Sequence, residues 1–260
     1  MGAFRHAGGP FLQNPRETIC RCFGRKFCLE FVEVAGELSA AKEFTVGYKA
    51  QNRLDRPLVL ATRNEGKIVE FRRLFAGFGV EIRSLRDFGP IPPVEEDGKT
   101  FEENAVKKAR FTARVLGIPA ISDDSGLVVD ALDGLPGVHS ARYAGENATD
   151  EENNRKLLDA MAGISERQAR FVCVIALSVP AGPTLIYEGF CEGRIGEKLT
   201  GNSGFGYDPI FFYPPLNKTF AELTPDEKNR VSHRGQALEE LQTEFDKVLV
   251  WLGQRLKNEP

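Results

Sequence analysis

Ile121-Ser122-Asp123-Asp124-Ser125-Gly126 is the stretch on which the reading of this chain turns. It follows a short apolar run, sets two carboxylates side by side and ends on a glycine. Side chains alternate along a strand, so at most one of Asp123 and Asp124 can face a core, and either is costly to bury unpaired. Asp, Ser and Gly are also turn formers, and the stretch reads equally well as a solvated turn at the end of a strand. Its neighbours along the chain choose between the two.

Upstream, Thr100 opens a helix to about Leu116, with Phe101, Ala105, Ala109, Thr112 and Leu116 on one face. Thr100-x-x-Glu103 matches a capping box, in which Glu103 bonds the backbone N–H of Thr100. Glu103 lies on the polar side with Lys107 and Arg110, so a surface ion pair or a cation ligand in a cleft stays equally open. Val80 to Leu85 alternates like a strand. Before it, Leu58-Val59-Leu60-Ala61 predicts a short strand, Thr62-Arg63-Asn64-Glu65-Gly66-Lys67 a loop, and Ile68, Phe71, Leu74 and Phe75 a helix. Strand, glycine-bearing loop and helix start together offer backbone N–H groups to an anion. It is not a Walker A loop, since Ala61 replaces its first glycine and Ile68 its Ser/Thr.

Downstream, Leu127 to Leu132 reads as another strand, and Thr149-x-x-Glu152 caps a helix that stops near Gly163. Phe171 to Val179 reads as a fully buried strand, turned by Ala181-Gly182-Pro183 into an antiparallel hairpin with Leu185 to Ile195. A glycine loop then leads through Phe205-Gly206-Tyr207-Asp208-Pro209 to the apolar Ile210-Phe211-Phe212. Thr224-Pro225-Asp226-Glu227 caps a short helix carrying Lys228 and Arg230, broken before Ser232-His233-Arg234-Gly235. Leu238, Leu241, Phe245, Val248 and Leu252 place a last helix with one apolar stripe.

Composition narrows the function classes. The 260 residues suffice for one large domain or two small ones, and the formal charge of −3 argues against bulk nucleic acid as the main partner. No run approaches the roughly 18 apolar residues of a membrane span. Cys20, Cys22, Cys28, Cys173 and Cys191 fit a reducing cytosol, with Cys173 a buried thiol; the first three lack a matching pair at zinc-finger spacing. Residues 1–55 lack periodicity, and the first 29 carry five Arg/Lys against the one acid Glu17. Gly8-Gly9-Pro10 spoils an amphipathic transit helix there, so this segment reads as a poorly ordered extension or an upstream start, with weak strands between Phe27 and Val46. Residues 56–260 form the globular unit.

The polar clusters are complementary. Glu103, Asp123 and Asp124 could hold Mg²⁺, and Lys67, Lys228 and Arg234 a polyphosphate. Phe205 could lie flat on a base whose edge Asp208 and His233 read. From Leu58 to about Leu241 the chain resembles the inosine triphosphate pyrophosphatase family, the Mg²⁺-dependent dITP/XTP diphosphatases that clear aberrant purine nucleotides. The resemblance rests on Thr62 to Lys67, Thr100-Phe101-Glu102-Glu103-Asn104-Ala105, Ser122-Asp123-Asp124-Ser125-Gly126-Leu127 and Pro136-Gly137-Val138-His139-Ser140-Ala141-Arg142-Tyr143. Gly204-Phe205-Gly206-Tyr207-Asp208-Pro209 and Lys228-Asn229-Arg230-Val231-Ser232-His233-Arg234 complete it, and the Ser140 to Tyr143 block looks bacterial.

The resemblance implies an α/β fold, a long mixed twisted sheet with flanking helices in two lobes around a cleft, and a cytoplasmic homodimer. It implies cleavage of ITP, dITP or XTP between the α and β phosphates, giving a monophosphate and pyrophosphate. Asp124 would be general base and metal ligand, and Glu103 a second metal carboxylate. Thr62, Arg63, Asn64, Glu65, Gly66 and Lys67 would contact phosphates with Ser125 and Lys228. Phe205, Gly206, Tyr207 and Asp208 would bind the base, with His233 and Arg234 completing its recognition. Two alternatives are a Maf-type nucleotide pyrophosphatase with another base preference, and a non-catalytic nucleotide sensor; the sensor has no need of a base such as Asp124.

Overall fold

The computed structural model describes residues 20–21, 54, 56–76 and 78–257. Cys22, Cys28, the weak strands expected between Phe27 and Val46, and nearly all of the amino-terminal extension lie outside them. The strands are β1 (Cys20–Arg21), β2 (Leu58–Leu60), β3 (Ile82–Ser84), β4 (Ala120–Val129), β5 (Gln168–Ser178), β6 (Thr184–Ile195), β7 (Phe211–Tyr213) and β8 (Lys218–Thr219). They form one mixed sheet ordered β3-β2-β4-β5-β6-β7-β8, with β1 beside β6. Pairing is parallel from β3 through β2 to β4 and antiparallel from β4 to β8.

The Asp123–Asp124 stretch is not a turn. β4 runs unbroken through it, paired with β5 from Ala120↔Ser178 to Val129↔Ala169. The expected separate strand at Leu127 to Leu132 is its continuation, closed by a 3-10 turn at Asp130–Leu132. A turn assignment fails because both carboxylates find buried countercharges, one on each face of the sheet.

Among the described residues five helices flank the sheet: α1 (Glu65–Phe75), α2 (Phe101–Leu116), α3 (Asp150–Ala160), α4 (Pro225–Val231) and α5 (His233–Lys257). α5 lays its expected stripe of Leu238, Leu241, Phe245, Val248 and Leu252 on one face, sharing a core with Ile68, Phe71 and Phe75 of α1. α2 covers the opposite face, where Ala105 and Ala109 meet Val172, Val174 and Ile186. A second large core lies further along the strands, around Leu127, Leu157, Phe171, Phe211 and Phe220. These cores in series along β4 and β5 are the expected two lobes.

β2 stops at Leu60, opposite Ile121 of β4, and the chain turns away into the Thr62–Asn64 loop. β4 continues past that point with only β5 beside it among the described strands, so Asp123 borders a crevice at the carboxyl end of a parallel strand, the usual ligand position of open α/β sheets. Gly126 is required there, because an added Cβ would sit 2.5 Å from both Gly137 O and Ser140 Oγ.

Close approach also fixes α5. A Cβ on Gly189 of β6 would lie 2.0 Å from the carbonyl oxygen of His233. Gly189→Ala should therefore push the first turn of α5 off the sheet and cost about 3 kcal/mol. An unchanged midpoint of thermal unfolding would show that this contact is slack.

Candidate active site

Asp123 and Asp124 point to opposite faces of β4 and meet different partners. Asp123 is buried, with Lys67 Nζ 2.9 Å from Oδ1 and Arg234 Nη2 3.1 Å from Oδ2. Ser125 Oγ donates to the same Oδ2 at 3.0 Å. Burial pushes this carboxyl up, but the Lys67 ammonium and Arg234 guanidinium outweigh it and hold Asp123 well below the usual carboxylate range. Both oxygens are engaged, so Asp123 is a permanent anion.

Asp124 is buried on the α2 face. Its Oδ1 takes Lys108 Nζ at 2.8 Å, and Asn104 Nδ2 donates to Oδ2 at a long 3.4 Å. Burial raises its carboxyl above the usual range, with Lys108 offsetting only part and the charge of Glu96 adding to the rise. Glu96 Oε2 lies 3.2 Å from the same Lys108 Nζ. Adjacent carboxylates pushed in opposite directions are the arrangement that separates a structural anion from a proton acceptor.

Cations and loop residues surround this pair. A cavity of about 270 Å³ is bordered by Thr62, Lys67, Glu96, Lys108 and Asp123. Asn64 caps α1, its Oδ1 accepting from the Lys67 N–H at 3.2 Å. Thr62 Oγ1 accepts from the Asn64 N–H, Arg63 donates to Ile91 O, and Glu65 pairs with Arg86 at 2.5 Å. An added Cβ on Gly66 would lie 3.3 Å from Asn64 Oδ1. Of the expected phosphate loop, Thr62, Arg63 and Lys67 border the cavity, whereas the Glu65 carboxylate turns to the flanking segment.

A larger cleft of about 930 Å³ lies between α1 and the α4 region, with Glu70, Gly204, Phe205, Lys228 and Arg234 in its wall. The Phe205 ring is 45% exposed, with Lys228 Nζ 4.5 Å from its centroid and the Arg234 guanidinium carbon at 5.7 Å. Lys228 also pairs with the buried Asp208, whose carboxyl burial pushes up against that pairing. Asp208 Oδ2 accepts from the Phe205 N–H at 2.9 Å, so it holds the loop as well as the lysine. Arg234 Nη1 reaches Glu70 at 3.2 Å in the wall of this cleft, while its Nη2 holds Asp123, which borders the smaller cavity.

Several expected residues sit differently. His233 and Arg234 lie inside the first turn of α5 rather than in a break before it. His233 stacks on Phe171 at 4.6 Å, its Nδ1 buried without a partner, and burial with nearby Arg234 keeps the imidazole neutral. Tyr207 donates its hydroxyl to Ser140 O at 2.9 Å. The Glu103 carboxylate is exposed and accepts from the Lys99 N–H at 2.6 Å, one residue earlier than a capping box with Thr100. Glu103 borders a separate groove on the outer side of α2. Among the described residues no group of three or more His, Cys, Asp or Glu is placed to hold a metal ion.

Sequence reasoning missed Lys108, Glu96, Asn104 and Glu70. Lys108 carried one signal, since it stands four residues after Asn104 and so on the same helix face. Glu96 is hidden in Glu95-Glu96-Asp97, an acidic run that reads as solvated surface. Cys173 and Cys191 are free and buried, and burial pushes both thiols up to about 12.

The Ham1 family model matches residues 58–244. The chain belongs to the Ham1 family. Its match to a dITP/XTP pyrophosphatase of Syntrophobacter fumaroxidans is 61% identical over 202 residues, 78% of this chain and 87% of that one. A Geobacillus kaustophilus protein of the same name is 51% identical over 196 residues, 75% and 96% of the two chains. The Staphylococcus aureus Ham1 structure superposes with a TM-score of 0.70 at 43% identity, covering 74% of this chain and 99% of that one. The Ham1 match takes in the whole crevice, from β2 to the first half of α5.

Removing the charge of Asp123 would leave Lys67 and Arg234 without their shared counterion, at a cost of about 3 kcal/mol for Asp123→Asn. Because the folded carboxyl is depressed, its stabilisation is complete above the unfolded value of about 4 and is lost as pH falls below it. Unfolding followed from pH 7 down to pH 2 should show a shallower acid limb in Asp123→Asn than in the wild type. Parallel limbs would remove Asp123 from the acid response.

Proposed function

We propose that this chain is a nucleoside triphosphate pyrophosphatase acting on the non-standard purine nucleotides dITP, XTP and ITP. The observation that carries the reading is the division between Asp123 and Asp124. One is saturated by two cations, the other is raised and has a lightly engaged oxygen, and both stand beside Lys67 and Lys108. The dITP/XTP pyrophosphatase name shared by relatives at 61% and 51% identity supports it. A sensor would have no use for a raised carboxyl among phosphate-sized cations.

Lys67, with the Thr62–Lys67 loop and Lys108, grips the phosphates. Water adds to the α-phosphorus, the bond to the α–β bridging oxygen breaks, and pyrophosphate leaves. The Asp124 carboxylate takes the proton of the attacking water, and its raised pKa brings it nearer the working pH. Phe205 offers its half-exposed face to the base. Lys228 and Arg234 carry only donors. They suit a 6-keto oxygen and leave the 6-amino group of adenine facing a donor, a mismatch worth up to about 10⁴-fold where a site is built around the bond.

The donor chemistry fits Mg²⁺, a hard cation taking oxygen ligands. Asp124 and Glu96 converge on one Lys108 ammonium, and the charge of Glu96 helps raise Asp124, so the pair can accept more positive charge. Asp124 and Glu96 would hold the ion, with Glu103 reaching it only after leaving the Lys99 N–H. Bound there, Mg²⁺ would neutralise charge on the phosphates. The reading includes a homodimer and a cytoplasmic setting, which rest on the family resemblance. No helix among the described residues is long and apolar enough to cross a membrane. Residues 56–260 form the catalytic unit in this reading.

Pyrophosphate release with Mg²⁺ across ITP, XTP, dITP, GTP, ATP and dUTP should favour the first three, and a preference for dUTP would point to the Maf-type alternative. Asp124→Asn should abolish turnover while keeping the wild-type unfolding midpoint or better; wild-type release rates would exclude it as base. In the wild type, kcat/KM should fall on the acid side above the ordinary carboxylate range of about 4. Lys67→Ala should weaken triphosphate binding, and unchanged KM and kcat would take Lys67 out of the site. Deleting residues 1–55 should leave activity intact.

A further inference from the structure

The base-facing loop is held from behind by a helix that lines neither hollow. Gly206 follows Phe205 in the left-handed region at φ +61°. Its N–H donates to Asp150 Oδ2 at 2.6 Å, and its carbonyl accepts from Asn154 Nδ2 at 2.8 Å. Both side chains stand on the first turns of α3, one turn apart. Asn154 is buried, also donates to Asp150 O, and its Oδ1 has no partner. Between them Asn153 ties Ala144 N and Ala141 O, next to Ser140, which receives the Tyr207 hydroxyl.

We infer that Asp150 and Asn154 are positioning residues that aim Phe205 by clamping both polar groups of Gly206. The phenyl ring is half in solvent with no apolar core to fix it; apart from the Lys228 and Arg234 cations near its face, its direction is set by the backbone on either side. Asp208 fixes the amide before the ring, and Asp150 with Asn154 fix the residue after it. A glycine at positive φ loses more freedom on ordering than any other residue, so an unclamped Gly206 would sample many directions for Phe205. The ring would then pay that ordering on each binding event. The inference rests on the purine triphosphatase reading for its kinetic readout, though not for its structural one.

Asp150→Ala removes the acceptor, whereas Asp150→Asn keeps a side-chain oxygen for the Gly206 N–H. Asp150→Ala should raise KM for ITP about tenfold with kcat within about twofold, as expected for losing much of a base-stacking contact. Asp150→Asn should restore KM to near wild type. Asn154→Ala, tested in parallel, should act in the same direction. An unchanged KM in both alanine variants, a fall in kcat alone, or no rescue by Asp150→Asn overturns the assignment. Amide hydrogen exchange at Gly206 in ligand-free protein separates the clamp from the activity. Faster exchange in Asp150→Ala than in wild type supports it even if ITP is no substrate, and equal exchange overturns it.

Discussion

One buried ion triad, Lys67–Asp123–Arg234, fastens this molecule together at its crevice. Its members come from α1, β4 and α5, and no pair of them is close in sequence. Two charges buried without such pairing would each cost several kcal/mol, so the helices can take up their places only if the carboxylate lies between them. The triad therefore does more than stabilise. It sets where the lysine points, and with it where an incoming phosphate meets positive charge.

The rest of the site follows from strand lengths. β2 is three residues long and β4 is ten, so β4 rises past its neighbour and presents both faces of its middle. Alternation then sends Asp123 toward the helices on one side and Asp124 toward α2 on the other. A single dipeptide thus supplies both a fixed anion and a proton acceptor, and the difference between them is made entirely by what lies across from each.

The elements were readable in the sequence where one periodicity ruled. The stripe of α5, the hairpin of β5 and β6, and the capping boxes at Thr149 and Thr224 fall where local pattern places them. β4 misled because Asp-Asp-Ser-Gly carries the chemistry of a turn, and only countercharges from distant helices make a strand there tolerable. Thr100 and Glu103 misled by one residue, since the carboxylate chose the neighbouring amide. Asp124 and Lys67 were legible as chemistry without an obvious packing role. Lys108 and Glu96 were not, because an ordinary helix lysine and an acidic run become a site only when the fold brings them to the same carboxylate.

Cys173 lies under this crevice, buried, with burial and the charge of Asp123 pushing its thiol up to about 12. Sulfur reacts with oxidants and alkylating agents as the thiolate, and at neutral pH almost none is present. The cysteine most intimate with the centre is therefore chemically silent, and peroxide or maleimide reagents have no handle on it while the fold is closed. Its labelling would report opening of the molecule rather than exposure of a working surface.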